Sequence, residues 1–277
     1  MRIGFIAHNN ERKLVSFREN GASVSELKSD FDIYGLTSKE LMSSFAREVI
    51  SESSYKRQAP ISPNKIVAIG LNYMDHIQES GVEAPSKPLI FSKFPSTVIG
   101  DGEVIALPTK IAERVDWEVE LAVVIGSTLK NVSMEDALKG VFGYTIANDV
   151  SARDIQFSDG QWIRGKNFDT FCPLGPEIVT ADEIKDPQNL AISTKINGEV
   201  VQNSNTSKML FPISELISFC SEAFTLYPGD VIITGTPWGC GEFATPRRSL
   251  RDGDVIEMEI EGIGILRNSV RSHRNKN

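Results

Sequence analysis

Cysteine, histidine and basic charge are all scarce in this 277-residue chain. Its three cysteines, Cys172, Cys220 and Cys240, are far apart and odd in number. They form no CxxC pair, which argues against a zinc ribbon and against a disulfide framework. Cys220, in LISFCSEAF, reads as a small buried apolar residue rather than a nucleophile. Acidic residues outnumber basic ones by 37 to 29, a formal net charge of −8. That balance disfavours nucleic acid and anionic membrane as partners. It leaves room for a small anionic substrate, because a local metal ion reverses the sign inside a pocket. No apolar run reaches membrane-spanning length, and MRIGFIAHNNERKL lacks the apolar core of a signal peptide. A reducing compartment is expected: the cytoplasm, or the mitochondrial matrix if the source is eukaryotic. The phosphate-loop pattern GxxxxGK[ST] is missing as well.

What is present is an ordinary globular composition, 40% hydrophobic and 24% charged, with length for a large domain and a smaller one. Residues 1–60 differ in texture from the rest. MRIGFIA reads as a strand, and 26–52 suits one or two short helices. Pro60, Ser62 and Pro63 suggest a linker. The division expected is a small N-terminal domain, 1–60, and a catalytic domain, 61–277. From Lys65 on, strand signals dominate: KIVAIG, PLIFSKF, EVIAL, WEVELAVVIG, GVFGYTIANDV, LAISTKING, DVIITGT and DVIEMEIEGIG. Two helical patterns stand out. MEDALKGV follows Ser133 as a candidate N-cap, and FPISELISFCSEAF has helical apolar spacing. The fold class is α+β, mostly β.

The most informative segment is VDWEVELAVVIG. In a strand, residues two apart share a face, so Asp116, Glu118 and Glu120 align. Carboxylates so placed repel each other unless a cation sits between them. All-oxygen ligands favour Mg²⁺, with Mn²⁺ or Ca²⁺ as alternatives. A solvated edge face would look the same in sequence. Asp149, at a strand end in YTIANDVSARDIQ, offers a third ligand, and Arg153 a planar fork for a substrate carboxylate. An Asp-capped turn with a surface Arg–Asp pair is the plainer alternative.

In GLNYMDHIQES, Asn72 is a candidate cap for a short helix and Gly81 its end. His76 and Glu79, three apart, would be neighbours on that helix, the arrangement of a general-base pair. Surface decoration is the alternative. His8 and His273 lie near the termini, which leaves His76 as the candidate. Lys166, among aromatics and Gly/Pro in QWIRGKNFDTFCPLGP, can offset negative charge or hold a substrate oxygen. GDVIITGTPWGCG offers backbone N–H groups and Thr hydroxyls to anionic oxygens.

Taken together, GLNYMDHIQESG, PLIFSKFPSTVIG, DWEVELAVVIG, GYTIANDVSARDIQ, WIRGKNFDTFCPLGP, INGEVVQNSNTSKMLF and YPGDVIITGTPWGCG resemble the fumarylacetoacetate hydrolase family, in order, from about 65 to 270. The likeness is strongest to the group of domain-containing 2 proteins and their bacterial relatives. The resemblance implies metal ligands at Glu118, Glu120 and Asp149. It puts the His/Glu pair at His76 and Glu79, in a helix that closes as a lid, and the metal-site lysine at Lys166. It puts substrate contacts at Arg153, Gln156 and Thr236, and makes Asp116 dispensable. It implies a β-rich roll of mixed sheets, a homodimer, and a small N-terminal domain. The activity expected from it is Mg²⁺-dependent C–C cleavage of a 2-oxo acid or 1,3-dicarbonyl compound, of acylpyruvate hydrolase or oxaloacetate decarboxylase type. The alternative is an isomerase or tautomerase working through the same enolate, including oxaloacetate keto–enol tautomerisation.

Overall fold

The strand Val119–Ile125 is buried at every residue. Its period of two divides its side chains between two cores. Val119, Leu121, Val123 and Ile125 enter one apolar cluster, Ala122 and Val124 another. Glu118 and Glu120 are in phase with the second row, where it runs out towards the site. The strand lies between Val141–Asn148 and Val231–Ile233, antiparallel to both.

The computed structural model describes residues 1–28, 32–36 and 38–272. Among them a 12-stranded sheet runs in the order Phe45–Ile50, Gly21–Ser25, Glu11–Arg18, Arg2–His8, Cys172–Thr180, Val141–Asn148, Val119–Ile125, Val231–Ile233, Ile66–Gly70, Leu89–Lys93, with two short strands attached at its sides. A five-stranded sheet, Glu199–Asn205, Ala191–Ile196, Val255–Ile260, Gly264–Ser272 and Val104–Leu107, shares the first core with the helix Ile213–Ala223. Both sheets are mixed. Val231–Ile233 pairs parallel with Ile66–Gly70, and Gly264–Ser272 parallel with Val104–Leu107. The α+β, mostly β class expected from the sequence is what forms.

MRIGFIA is a strand, Arg2–His8, and it pairs with Cys172–Thr180 through Arg2↔Val179. Strands within 1–60 therefore extend the large sheet. The helices expected over 26–52 reduce to one α-helix, Ser38–Ser43, among strands; residues 29–31 and 37 lie outside the described residues, as does His273. Both later helices form: Ser133 accepts from the Asp136 N–H at the start of Met134–Ala137, and Cys220 is buried in Ile213–Ala223. No helix among the described residues is long and apolar enough to cross a membrane.

The strand Cys172–Thr180, CPLGPEIVT, is buried throughout, yet its Gly-Pro pair reads as loop in the sequence. The register against Val141–Asn148 shifts between Tyr144 and Ile146, an irregularity beside Pro176. Close approach here depends on Gly143. A Cβ on it would fall 2.4 Å from the Val179 carbonyl oxygen. Gly143→Ala should therefore lower stability by about 1–3 kcal/mol, the scale of overpacking. The urea midpoint reads this directly, and an unchanged midpoint would mean that the strands separate there without cost.

Candidate active site

Two chain crossings bring the acidic residues together. The strand preceding Val119 is interrupted: Val115–Asp116 forms its own short ladder with Ser151–Ala152, and Trp117–Glu118 link it to Val119–Ile125. Asp149 directly follows Val141–Asn148, and its N–H donates to the Glu118 carbonyl at 2.9 Å. Carboxylate oxygens of Glu118, Glu120 and Asp149 thus come within 4.8 Å of one another, all three residues buried. This is the ligand set expected from the sequence. Its all-oxygen chemistry fits a hard divalent cation.

Asp116 stands apart from that set. One of its oxygens, Oδ2, accepts from Arg153 Nε at 2.9 Å and from the Glu242 N–H; the other, Oδ1, accepts from the N–H groups of Trp117 and Gly241. The expectation that Asp116 is dispensable needs correction. It stands outside the three-carboxylate set, but it is 1% exposed and its removal would leave Arg153 Nε and three backbone donors without their partner.

Three cations face the carboxylates. Lys166 Nζ donates to Glu118 Oε2 at 2.6 Å and Asp149 Oδ2 at 2.7 Å. Arg153 Nη2 lies 2.6 Å from Glu118 Oε1, though its N–H groups are not aimed at that oxygen, and Nη1 donates to Gln156 Oε1 at 3.0 Å. The third is Lys93, which sequence reasoning missed. It is fully buried, 2.7 Å from Asp149 Oδ1, and its hydrogen bond goes to the Val150 carbonyl. A signal was available: Lys93 is in phase with Phe91 on the inward face of Leu89–Lys93.

Burial alone would raise the Glu118 carboxyl, but Lys166, Arg153 and His76 outweigh it and hold it down to about 2. Glu120 goes the other way. Burial, then the charges of Asp149 and Glu118, push it well above the carboxylate range, against Lys166 and a 2.7 Å hydrogen bond from the Gly235 N–H. Lys166 is buried too, yet Asp149 and Glu118 keep it raised and therefore an ammonium.

The helix Met74–Ser80 carries the second group. His76 Nδ1 lies 2.8 Å from Glu79 Oε1, and Gly81 closes the helix at φ 68°. The helix starts after Tyr73, so Asn72 is no cap. Its side chain instead holds the Thr234 and Phe211 carbonyls and the Phe211 N–H, which tethers the helix to the Val231–Ile233 strand end. Other helix contacts include a hydrogen bond from Ser204 Oγ to Asp75 Oδ2 and one from the Gly239 N–H to Glu79 Oε2 at 2.9 Å. The loop after DVIITG was expected to offer backbone N–H groups to anionic oxygens. Its donors at Gly235, Gly239 and Gly241 are bound to the chain's own carboxylates, those of Glu120, Glu79 and Asp116.

A cavity of about 280 Å³ joins the two groups. His76, Glu118, Glu120, Arg153, Gln156, Lys166 and Thr236 line its polar side; Phe91, Phe157, Trp162 and Phe243 form much of its wall. Glu79 and Asp149 sit behind it, reached through His76 and Lys166. Thr236 Oγ1 accepts from Gln202 Nε2, which leaves its own proton free to donate. All nine residues expected at the site therefore converge on one place. This joins a β-rich roll to an acidic centre and an imidazole–carboxylate pair in one pocket.

The sequence matches the family description "Fumarylacetoacetate (FAA) hydrolase C-terminal" over residues 65–271. The chain belongs to the fumarylacetoacetate hydrolase family. It is 50% identical over 224 residues to the mitochondrial oxaloacetate tautomerase Fahd2a of Rattus norvegicus, a match covering 80% of this chain and 71% of the relative. It is 52% identical over 211 residues to an uncharacterized protein of Methanocaldococcus jannaschii, covering 76% and 84%. Among solved structures, 5-carboxymethyl-2-hydroxymuconate delta-isomerase from Mycobacterium smegmatis superposes with a TM-score of 0.84 at 40% identity, covering 98% of this chain and 100% of that one.

The raised carboxyl of Glu120 makes a cation and a proton competitors for one site. Divalent-cation affinity should rise with pH and fall as the pH drops through that raised range. Calorimetric titration with Mg²⁺ in two buffers of different ionisation enthalpy should reveal proton release. A pH-independent affinity without proton release would mean that Glu120 is already ionised.

Proposed function

We propose that this protein is a divalent-metal-dependent tautomerase or isomerase of small 2-oxo acids, with the keto–enol tautomerisation of oxaloacetate as its reaction. The observation that carries this reading is the His76–Glu79 pair, 2.8 Å apart, with its imidazole lining the same cavity as Glu118 and Glu120 of the three-carboxylate cluster. The names of the relatives support it: oxaloacetate tautomerase for the rat protein, and an isomerase of an unsaturated 2-hydroxy acid for the mycobacterial one. The hydrolase or decarboxylase reading first drawn from the sequence has less support.

Glu118, Glu120 and Asp149 would hold Mg²⁺, which when bound supplies Lewis-acid polarisation of the substrate's keto oxygen. The chain's own groups do the rest. Arg153 Nη2, unpaired in hydrogen-bond terms, and the Thr236 hydroxyl present donors to the substrate's carboxylate oxygens. Glu79 accepts from Nδ1–H of His76, which fixes the tautomer whose Nε2 lone pair is free. Nε2 takes a proton from the methylene carbon between the carbonyls, and the same proton is returned to oxygen. One proton moves and no heavy-atom bond breaks. Lys166, held as an ammonium, adds positive charge on the side where the enolate oxygen develops its negative charge. The aromatic wall excludes bulk water, which strengthens each of these interactions.

His76→Ala should lower kcat for oxaloacetate tautomerisation by about 10²–10⁴-fold, the usual loss of a general base. Products should be followed with enol-oxaloacetate and with acetylpyruvate. The tautomerase reading fails if acetylpyruvate is cleaved while enol-oxaloacetate is left unconverted, and so does it if oxaloacetate loses CO₂ at the rate at which it disappears.

A further inference from the structure

One chemically distinctive group at this site has no part in the reaction above. Cys240 is fully buried, and its Sγ lies 3.9 Å from His76 Nδ1. Among the described residues, His76, Glu79 and Cys240 form a second set of potential ligands besides the three carboxylates, their ligand atoms within 4.8 Å of one another. The two sets differ in kind. One offers oxygen alone. The other offers an imidazole nitrogen, a carboxylate oxygen and a sulfur, the donor mixture of zinc-type sites.

The geometry is close to what such an ion needs. Tetrahedral bonds of about 2.0–2.3 Å put neighbouring ligand atoms roughly 3.3–3.6 Å apart. The observed separations, 2.8 Å for Nδ1 to Glu79 Oε1 and 3.9 Å for Sγ to Nδ1, bracket that range. Shifts of about half an ångström would close the set. An orienting partner is also in place: Glu79 Oε2 accepts from the Gly239 N–H at 2.9 Å, leaving Oε1 turned to the imidazole. Gly239 and Cys240 are neighbours on one loop, so the loop that fixes the carboxylate also delivers the sulfur.

We propose that His76, Glu79 and Cys240 form an inhibitory site for a thiophilic divalent cation of the zinc type, distinct from the carboxylate centre. The ion takes the Nδ1 lone pair, the imidazole proton moves to Nε2, and the thiol proton leaves to solvent. One proton is released for each ion bound. With Nε2 protonated, His76 no longer accepts a proton from substrate, and the reaction stops although the carboxylate centre is intact. The inhibition rests on the reading of His76 as the base; the binding does not.

Cobalt(II) and zinc are the probes, added to the protein held in saturating Mg²⁺. Wild type should develop a near-ultraviolet thiolate-to-cobalt charge-transfer band that zinc removes. Cys240→Val and Cys240→Ser should lack the band and keep their Mg²⁺-supported activity. They should require at least about tenfold more zinc for half-inhibition, the scale of a weakened metal site. Circular dichroism checks that each variant is folded, and the wild-type band stands as a test by itself. The site is overturned by a wild type without the band, or by a band that survives in both variants. It is also overturned by equal zinc inhibition in all three proteins that excess Mg²⁺ reverses, since zinc would then act at the carboxylates. A band that needs Cys240 with no loss of activity overturns the inhibitory role, and locates the failure in the reading of His76 rather than in the site.

Discussion

Four buried carboxyls, those of Asp116, Glu118, Glu120 and Asp149, share their surroundings with the three cations Lys93, Lys166 and Arg153. If every group were ionised the cluster would carry one surplus negative charge in a place where isolated charge is costly. Glu120 resolves this. It has no lysine or arginine ion pair of its own among the described residues, and burial with the charges of Asp149 and Glu118 raises its carboxyl, so it is the member of the cluster that most readily takes a proton. A dication changes the sum. Two added positive charges would favour the ionised form of Glu120 and, with every group charged, turn one surplus negative charge into one surplus positive charge. An acidic chain could thus present a positive pocket to a small anion without any basic surface.

One loop holds this arrangement in place. Gly235, Gly239 and Gly241 each direct a backbone N–H at a carboxylate, of Glu120, Glu79 and Asp116 respectively. Those three belong to the metal set, the base pair and the support of Arg153. Glycine is required at the middle position for two reasons. Gly239 has φ 99°, and a Cβ there would lie 2.1 Å from the Val201 carbonyl oxygen. Movement of this loop would therefore disturb the carboxylate cluster, the His76–Glu79 pair and Arg153 together. Their geometry is coupled by backbone donors rather than by direct contact.

Much of the site was legible in the sequence because it follows a strand period. Asp116, Glu118 and Glu120 follow one another two apart in an otherwise apolar segment, so a shared face could be read off directly. Asp149 and Lys166 were legible as polar residues at a strand end and in an aromatic loop. Lys93 was not, because one lysine in a strand reads as its solvent face unless its phase is compared with Phe91. The strand Cys172–Thr180 was lost to its Gly-Pro pair, since local turn chemistry contradicts the tertiary pairing that prevails there. The glycine loop was read as a set of donors for anionic oxygens, and the oxygens it meets are the chain's own carboxylates. Sequence reveals that backbone donors are available, but which carboxylate reaches them depends on the fold. The same limit applies to Asn72, which sits where a cap would sit but is tied to Phe211 and Thr234 across the chain.

The residues that hold the substrate do not by themselves divide tautomerase from hydrolase, since both begin with the same enolate chemistry and the same imidazole base. The division lies in what His76 Nε2 faces. Hydrolysis needs a water between the imidazole and the distal carbonyl, and so needs polar room beside the base. Proton shuttling needs the substrate carbon itself against Nε2. In this cavity Phe243 meets the His76 ring edge-on at 5.6 Å, while Glu118, Gln156 and Thr236 are among the polar groups of the same lining. Phe157 and Trp162 also contribute to the cavity wall. A nucleophilic water there would take the two to four polar partners that hold an ordered water from those polar groups. The two chemistries thus differ in what must occupy the space beside the imidazole: a water held by the polar lining, or the substrate carbon set against the aromatic wall.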